Sequence, residues 1–300
     1  MPSRASAISR GTSGPLTGAM TSTDTQDLTL VLGAQGTTGR RVASRLAARG
    51  VATRLGSRSG EPPFDWADER TWPAVLRDVS AAYLVYYPDL VAPEALERVH
   101  RFATLAADSG VGRLVLLSGR GEKAAQQAEQ AVMGAGTAWT IVRSAFFAQN
   151  FSEKGFEAFV RSGTVALPAP EIGEPFVDAD DIADVVVTAL TADGHAGQVY
   201  EVTGPRLMSF ADAVADIAAA TGRAVAFERI TADEFVDGLT ANGVPEEEAH
   251  VFAEIFETVL DGRNAYLTDG VQRALGRAPR DFTEYAAATA PTGVWFDTDG

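Results

Sequence analysis

The stretch Leu30–Gly50, LVLGAQGTTGRRVASRLAARG, decides how this chain is read. An apolar run ends at Leu32, three glycines follow within seven positions (Gly33, Gly36 and Gly39), and an amphipathic segment continues to Gly50. Two readings fit. In the plain one the glycines only make a tight turn. In the other, Gly33 permits the turn, Gly36 lets a pyrophosphate approach the backbone, and Gly39 lets the helix pack closely on the strand. A helix that starts there presents unpaired N–H groups and positive partial charge to phosphate. The position after the first strand of a βαβ unit favours the dinucleotide reading. A nucleoside-triphosphate loop requires Lys and then Ser or Thr after the last glycine, and Arg40 and Arg41 stand there instead.

From Leu28 onward short apolar runs alternate with longer helical patterns. The spacing predicts strands near 28–33, 51–56, 82–87, 112–117 and 138–143, with helices near 37–49, 71–79, 93–109 and 121–134. Gly50 and Gly110 suit the position just past a helix end, and Pro73 and Pro93 suit helix starts. Beyond Arg143 the rhythm predicts a helix near 146–161, a short strand at 164–167, and a helix in EPFVDADDIADVVVTAL capped by Asp180. GQVYEVTG then reads as a strand, and 209–262 as mainly helical with AVAFERI as a strand. The expected fold class is α/β: a Rossmann-like doubly wound parallel sheet with a smaller, mostly helical C-terminal lobe. Residues 28–150 are expected to form the nucleotide-binding core. Residues 151–300 are expected to form a substrate lobe that returns strands to the sheet, in one structural unit with the core.

Residues 1–27, rich in Ser, Thr and Gly, read as a disordered leader. The segment lacks the apolar core of a secretory signal. Arg4 and Arg10, with no acid before Asp24, faintly resemble a transit peptide, but no amphipathic face accompanies them. Met20 serves equally well as a natural start.

No stretch is apolar for the eighteen or so residues a membrane span requires, so a globular protein away from the membrane is expected. The net charge of −15 argues against nucleic acid, because neutralising phosphates needs clustered Lys and Arg. With no cysteine there is neither a disulfide framework nor a thiolate metal site, and a cytoplasmic location is expected. His100, His195 and His250 are scattered without metal-ligand spacing, so no metal is expected. The acids in PEEE (245–248) and DADD (178–181) read as helix first-turn charges rather than catalytic pairs.

Cofactor choice turns on the end of the second strand, where an acid would hold the ribose 2′-hydroxyl of NAD and repel a 2′-phosphate. The residues there are TRLGSRSGE, with Arg58 between Ser57 and Ser59 and no acid at the strand end. A guanidinium flanked by hydroxyls favours NADP(H). Pairing with Glu61 is the competing use of Arg58. Further on, FFAQNF follows a predicted strand. Phe146, Phe147 and Phe151 with Gln149 and Asn150 suit a wall for a flat substrate, with core packing as the alternative.

With these residues in view, the chain resembles the NmrA-like branch of the atypical short-chain dehydrogenase/reductases, from about Leu28 to Leu190 and more loosely beyond. VLGAQGTTGRRV, LLSG (116–119), AEQAVMGAGTAWTIVRSAFFAQNF and PFVDADDIADV carry the resemblance. Within that branch it is most similar to the group that includes NADPH-dependent quinone oxidoreductases and triphenylmethane reductases. The resemblance implies NADP(H) along the strand ends, with substrate between the sheet and the C-terminal lobe. Thr37, Thr38 and Gly39 would lie against the pyrophosphate, Arg58 against the 2′-phosphate and Asp65 beside adenine. Tyr86, Tyr87 and Pro88 would border the nicotinamide ribose. Ser118 would bring a hydroxyl near the reacting carbonyl, and Ser144 to Phe147 would line nicotinamide and substrate.

One departure matters more than the match. The usual members of the wider superfamily pair a Tyr with a Lys four residues later, and none of the six tyrosines here has that partner. Lys123 follows Ser118 without the Tyr. It is a candidate ribose contact, with an ordinary surface lysine as the plainer reading, and Glu129 reads as structural. The function expected is therefore an NADPH-dependent reductase of a flat, conjugated acceptor, a quinone or polycyclic aromatic ketone. Such an acceptor delocalises its charge and takes its proton later, from water or a weak donor such as Ser118. The alternative is a non-enzymatic NADP-binding redox sensor of the NmrA type. A small-molecule substrate is the expected partner, with a homodimer left open.

Overall fold

The computed structural model describes residues 27–153 and 155–296; the expected leader falls outside them except for Asp27. The alternation begins with β1 (Leu28–Leu32), α1 (Thr37–Ala48), β2 (Thr53–Gly56), α2 (Trp72–Leu76), β3 (Val79–Leu84), α3 (Ala95–Asp108), β4 (Arg113–Gly119), α4 (Lys123–Met133) and β5 (Ala138–Ser144). It continues through α5 (Asn150–Glu153), α6 (Phe156–Ser162), β6 (Thr164–Leu167), α7 (Ala179–Thr191), β7 (Gln198–Val202), α8 (Phe210–Thr221) and β8 (Ala226–Arg229). The last helices are α9 (Ala232–Ala241), α10 (Glu246–Thr258), α11 (Gly270–Leu275) and α12 (Phe282–Thr289).

Six parallel strands make one sheet in the order β2-β1-β3-β4-β5-β7. Strand alternation splits their side chains between two faces. Leu30, Leu32, Ala82, Leu84, Leu114 and Leu116 face α2, α3 and α4. Val31, Tyr83, Val115 and Val142 face α1, α7 and α11. Both faces are covered, so the central strands read as continuous apolar runs. Because β1 lies between β2 and β3, the connections leave it in opposite directions, and a crevice opens at the carboxyl ends of β1 and β3. A third apolar cluster joins α8, α9, α10 and α12 to the small parallel pair β6–β8, forming the mostly helical lobe. Among the described residues no helix is long and apolar enough to cross a membrane.

Local reading failed in three places. The strand expected near 82–87 runs from Val79 to Leu84, because Asp78, at φ 62°, ends the preceding segment in the left-handed region. Val79 then pairs with Leu28 at the start of β1, while the Val85 carbonyl accepts from Trp66 Nε1 at 3.0 Å. The single helix expected at 146–161 is absent. Residues 145–148 stay extended, exchanging backbone bonds with Val177 and Val202, and the helical part is split into α5 and α6, with Gly155 at φ 99° opening α6. Finally, Asp178 rather than Asp180 caps α7, accepting from the Asp180 N–H at 2.8 Å. Asp180 is free to pair with Arg45 on α1 at 2.7 Å.

Candidate functional site

The glycine turn at the end of β1 shows what each glycine is for. Gly33 has φ +60°, and a Cβ there would meet Val85 Cγ1 at 2.5 Å. A Cβ on Gly39 would lie 2.1 Å from the Gly33 carbonyl oxygen, so α1 packs directly on the turn. Gly36 differs. Its φ of −76° suits any residue, and its Cβ would meet only the Gly33 carbonyl oxygen, at 3.2 Å. The fold demands glycine there far less than at Gly39, since that one oxygen need yield only a few tenths of an ångström.

That turn leads into a helix start with unused donors. No side chain caps α1, no acid sits in its first turn, and the Thr37 hydroxyl is buried without a hydrogen-bond partner. A buried polar atom left unpaired costs about 1–3 kcal/mol unless something binds it. Free N–H groups, the orphaned Thr37 Oγ1 and an open Gly36 form a site that fits a pyrophosphate. Thr38 is used differently, its hydroxyl accepting from the buried Tyr83 hydroxyl at 2.9 Å. Arg40 and Arg41 both pair with Glu153, so their charge is already spoken for.

The loop after β2 lies beside this turn, Gln35 Nε2 donating to Ser59 Oγ at 3.4 Å. Arg58 is exposed there and pairs with neither Glu61 nor any other described acid. Asp65 sits in the adjacent turn, with Oδ1 accepting from Ala67 N at 2.9 Å. After β3, Tyr87 is 74% exposed and Pro88 is exposed beside it. Tyr86 is a correction: its ring packs on Trp66 with centroids 5.0 Å apart, and its hydroxyl accepts from Arg98 at 3.1 Å. The core takes the side chain and leaves only backbone for a cofactor.

At the ends of β4 and β5 the structure corrects the expected chemistry. Ser118 is 3% exposed and donates its hydroxyl proton to Glu129 Oε1 at 2.6 Å. Glu129 is fully buried and also accepts from Arg143 Nε at 2.7 Å, while Arg143 reaches Glu201 at 3.1 Å. Two flanking carboxylates hold the Arg143 guanidinium above its ordinary range, the hydrogen bond to Glu129 weighing most. Ser118 has one proton, and a buried carboxylate holds it, so it is not positioned as a donor to substrate. Lys123 is exposed at the first turn of α4, with no ion pair among the described residues. Ser144 lies in register with Gly119, its hydroxyl 3.5 Å from the Ser118 carbonyl.

The aromatic wall is also rearranged. Successive residues of an extended segment face opposite sides. Phe146 therefore joins the lobe's apolar cluster and Phe147 the cluster beneath α7. Phe151 is fully buried. Gln149 is structural, donating to Asp178 at 2.7 Å and accepting from Ala179 N at 2.8 Å. Phe146, packed against the lobe's cluster, and Asn150 at the start of α5 are both partly exposed. His195 is tied by its Nδ1 to the Tyr200 hydroxyl at 2.8 Å, a fold contact.

Sequence reading passed over three charged side chains near these strand ends. Glu122 folds back over Gly119, where a Cβ would come within 2.6 Å of its Oε2. Arg120 is buried between the 264 and 266 carbonyls, its Nε without a hydrogen bond and 3.8 Å from Glu201 Oε2. Glu174 is 5% exposed and accepts from Phe146 N at 3.1 Å. Glu122 stands four residues after Ser118, where an acid preceding a helix was visible; Glu174 carries no local signal.

Burial pushes the Glu174 carboxyl up to about 7. A carboxyl raised in the fold contributes stability that is present at low pH and lost as pH rises through its folded value. Glu174→Gln should therefore raise the melting temperature relative to wild type more at pH 8 than at pH 5. Melting curves at both pH values check this, and an equal or opposite difference would count against a desolvated carboxyl.

No family model matches the chain. It is similar to an NAD(P)H azoreductase of Xenophilus azovorans, with 33% identity over 257 residues, 83% of this chain and 86% of the relative. Among solved structures it is similar to the Citrobacter sp. triphenylmethane reductase complexed with NADP(H), at a TM-score of 0.72 and 19% identity over 88% of this chain and 99% of that one. It is also similar to an NADPH-dependent quinone oxidoreductase of Escherichia coli complexed with NADPH, at 0.71 and 17% over 87% and 99%. These structural likenesses carry the fold.

Proposed function

Since this chain belongs to the NmrA-like branch of the atypical short-chain dehydrogenase/reductases, we propose that it is an NADPH-dependent reductase whose acceptor is a flat, conjugated molecule such as a quinone or polycyclic aromatic ketone. The observation that carries the choice of acceptor is the Ser118 hydroxyl, whose proton is held by buried Glu129. Without a Tyr and Lys pair and with Ser118 committed, the strand end offers no activated hydroxyl. An acceptor that spreads negative charge over a conjugated system can do without an activated hydroxyl and draw its proton from another acid or from water.

When bound, NADPH supplies a hydride. The α1 start, with Gly36, Thr37 and Thr38, would hold the pyrophosphate, and Arg58 with Ser57 and Ser59 the 2′-phosphate. Tyr87, Pro88 and Ser144 would border the nicotinamide end, and Phe146 and Asn150 the acceptor. The Glu129–Arg143–Glu201 network ties α4 to β5 and β7 beneath that end and keeps the Ser118 hydroxyl of β4 fixed.

NADPH oxidation followed against a panel of quinones and aromatic ketones tests the reading. Turnover supports it; tight NADP binding with no turnover on any acceptor identifies a sensor instead. Arg58→Ala should weaken NADP by roughly 1.5–3 kcal/mol, about 10–150-fold, and barely change NAD. Calorimetric titration with both nucleotides measures the difference, and equal losses would remove Arg58 from the 2′-phosphate.

A further inference from the structure

The reductase reading lacks a proton donor, and one side chain at the strand ends is placed to be it. Glu122 occupies the N-cap position of α4 but makes no capping hydrogen bond. Its side chain folds back over the end of β4, so close to Gly119 that a Cβ there would lie within 2.9 Å of both carboxyl oxygens. The absent side chain at Gly119 leaves the space that the carboxyl takes up. The group is half-buried and has no hydrogen bond or ion pair among the described residues. Unlike Glu129, it is not spent on the fold. In doubly wound sheets ligands bind at the carboxyl ends of the strands, which is where this carboxyl lies.

Resting on the reductase reading, we propose that Glu122 is the general acid that protonates the reduced acceptor at the end of β4. The acceptor takes hydride from NADPH, which leaves as NADP⁺, and negative charge develops on the acceptor oxygen. That oxygen takes the proton from the Glu122 carboxyl as its O–H bond breaks. Water then reprotonates the carboxylate, so one hydride and one proton are delivered per turnover.

The surroundings keep the group protonated where the chemistry needs it. Burial pushes the Glu122 carboxyl up to about 7, the charge of Asp89 in the loop after β3 adds to the shift, and Arg263 between α10 and α11 opposes it. Lys123, next in sequence, points to solvent. Glu174 is raised to a similar value but is closed off, its carboxyl accepting from Phe146 N and packed among apolar residues of the lobe. It therefore serves as the control.

The test compares wild type, Glu122→Gln and Glu174→Gln. In the cofactor-free protein, carbon-13 NMR of carboxyl-labelled glutamate should show two carboxyls titrating near pH 7, one lost in Glu122→Gln and the other in Glu174→Gln. With NADPH and a neutral quinone, wild-type kcat/KM should fall as pH rises through the Glu122 titration. Glu122→Gln should be slower by about 100-fold at pH 6 and lose the slope, with NADPH affinity unchanged, while Glu174→Gln keeps the slope. A missing Glu122 titration, a wild-type rate and slope in Glu122→Gln, or a loss of NADPH affinity in step with the rate would each overturn the assignment. A wild type that turns over no acceptor is a different result, since it removes the reductase reading itself and the acid with it.

Discussion

Gly36→Val is expected to weaken both NADPH and NADH by more than about 100-fold, the loss of two or more charge-assisted hydrogen bonds, while melting within a few degrees of wild type. The backbone at Gly36 is extended, a conformation any residue adopts, and a Cβ there would press on one group alone, the Gly33 carbonyl oxygen at 3.2 Å, which must give by a few tenths of an ångström. The valine methyls would instead fill the space above the free N–H groups of α1, where a pyrophosphate would lie. Gly39→Ala is the contrasting case. Its Cβ would stand 2.1 Å from the Gly33 carbonyl oxygen, so the turn itself must move, and stability and binding should fall together. Calorimetry and thermal melts on the two variants separate a ligand-binding glycine from a packing glycine. Wild-type NADP affinity in Gly36→Val would reduce the motif to a turn.

Glu129→Ala is expected to be the most destabilising single change at the strand ends, by about 3–5 kcal/mol. Its carboxylate is fully buried and answers both Arg143 and the Ser118 hydroxyl. Removing it strands a mostly buried guanidinium with only Glu201 and leaves the Ser118 proton without an acceptor. Glu129→Gln keeps one carbonyl acceptor and should lose less. Urea denaturation of both variants gives the difference, and a cost below about 1 kcal/mol for Glu129→Ala would mean that water replaces the carboxylate.

How much of this was legible depended on the range of the interactions involved. The run from Leu28 through Gly39 to Gly50 is governed by neighbours within a turn or two, and its strand, glycine turn and helix form where the residues predict. Gly50 and Gly110 take positive φ just past their helices for the same local reason. Alternating apolar runs likewise determine a covered parallel sheet. The stretch 145–148 lies at the other extreme. FFAQN resembles a helix in isolation, yet bonds to Val177 and Val202 hold its first residues extended, with Phe146 and Phe147 on opposite sides, before the chain turns into α5.

The chemistry was decided still further from the local chain. Ser118 reads as a donor until Glu129, and behind it Arg143 and Glu201, converge on it from α4, β5 and β7. Glu122 reads as an ordinary acid before a helix until Gly119, Asp89 and Arg263 close around it. By itself the sequence determined the βαβ unit, the glycine turn and the want of an acid at the second strand end, because backbone conformation and periodicity are local properties. Only the tertiary structure decided which side chains are tied into the Ser118–Glu129–Arg143 network and which carboxyls are desolvated, because desolvation and hydrogen-bond partnership belong to the assembled environment of a group and not to its neighbours in the chain.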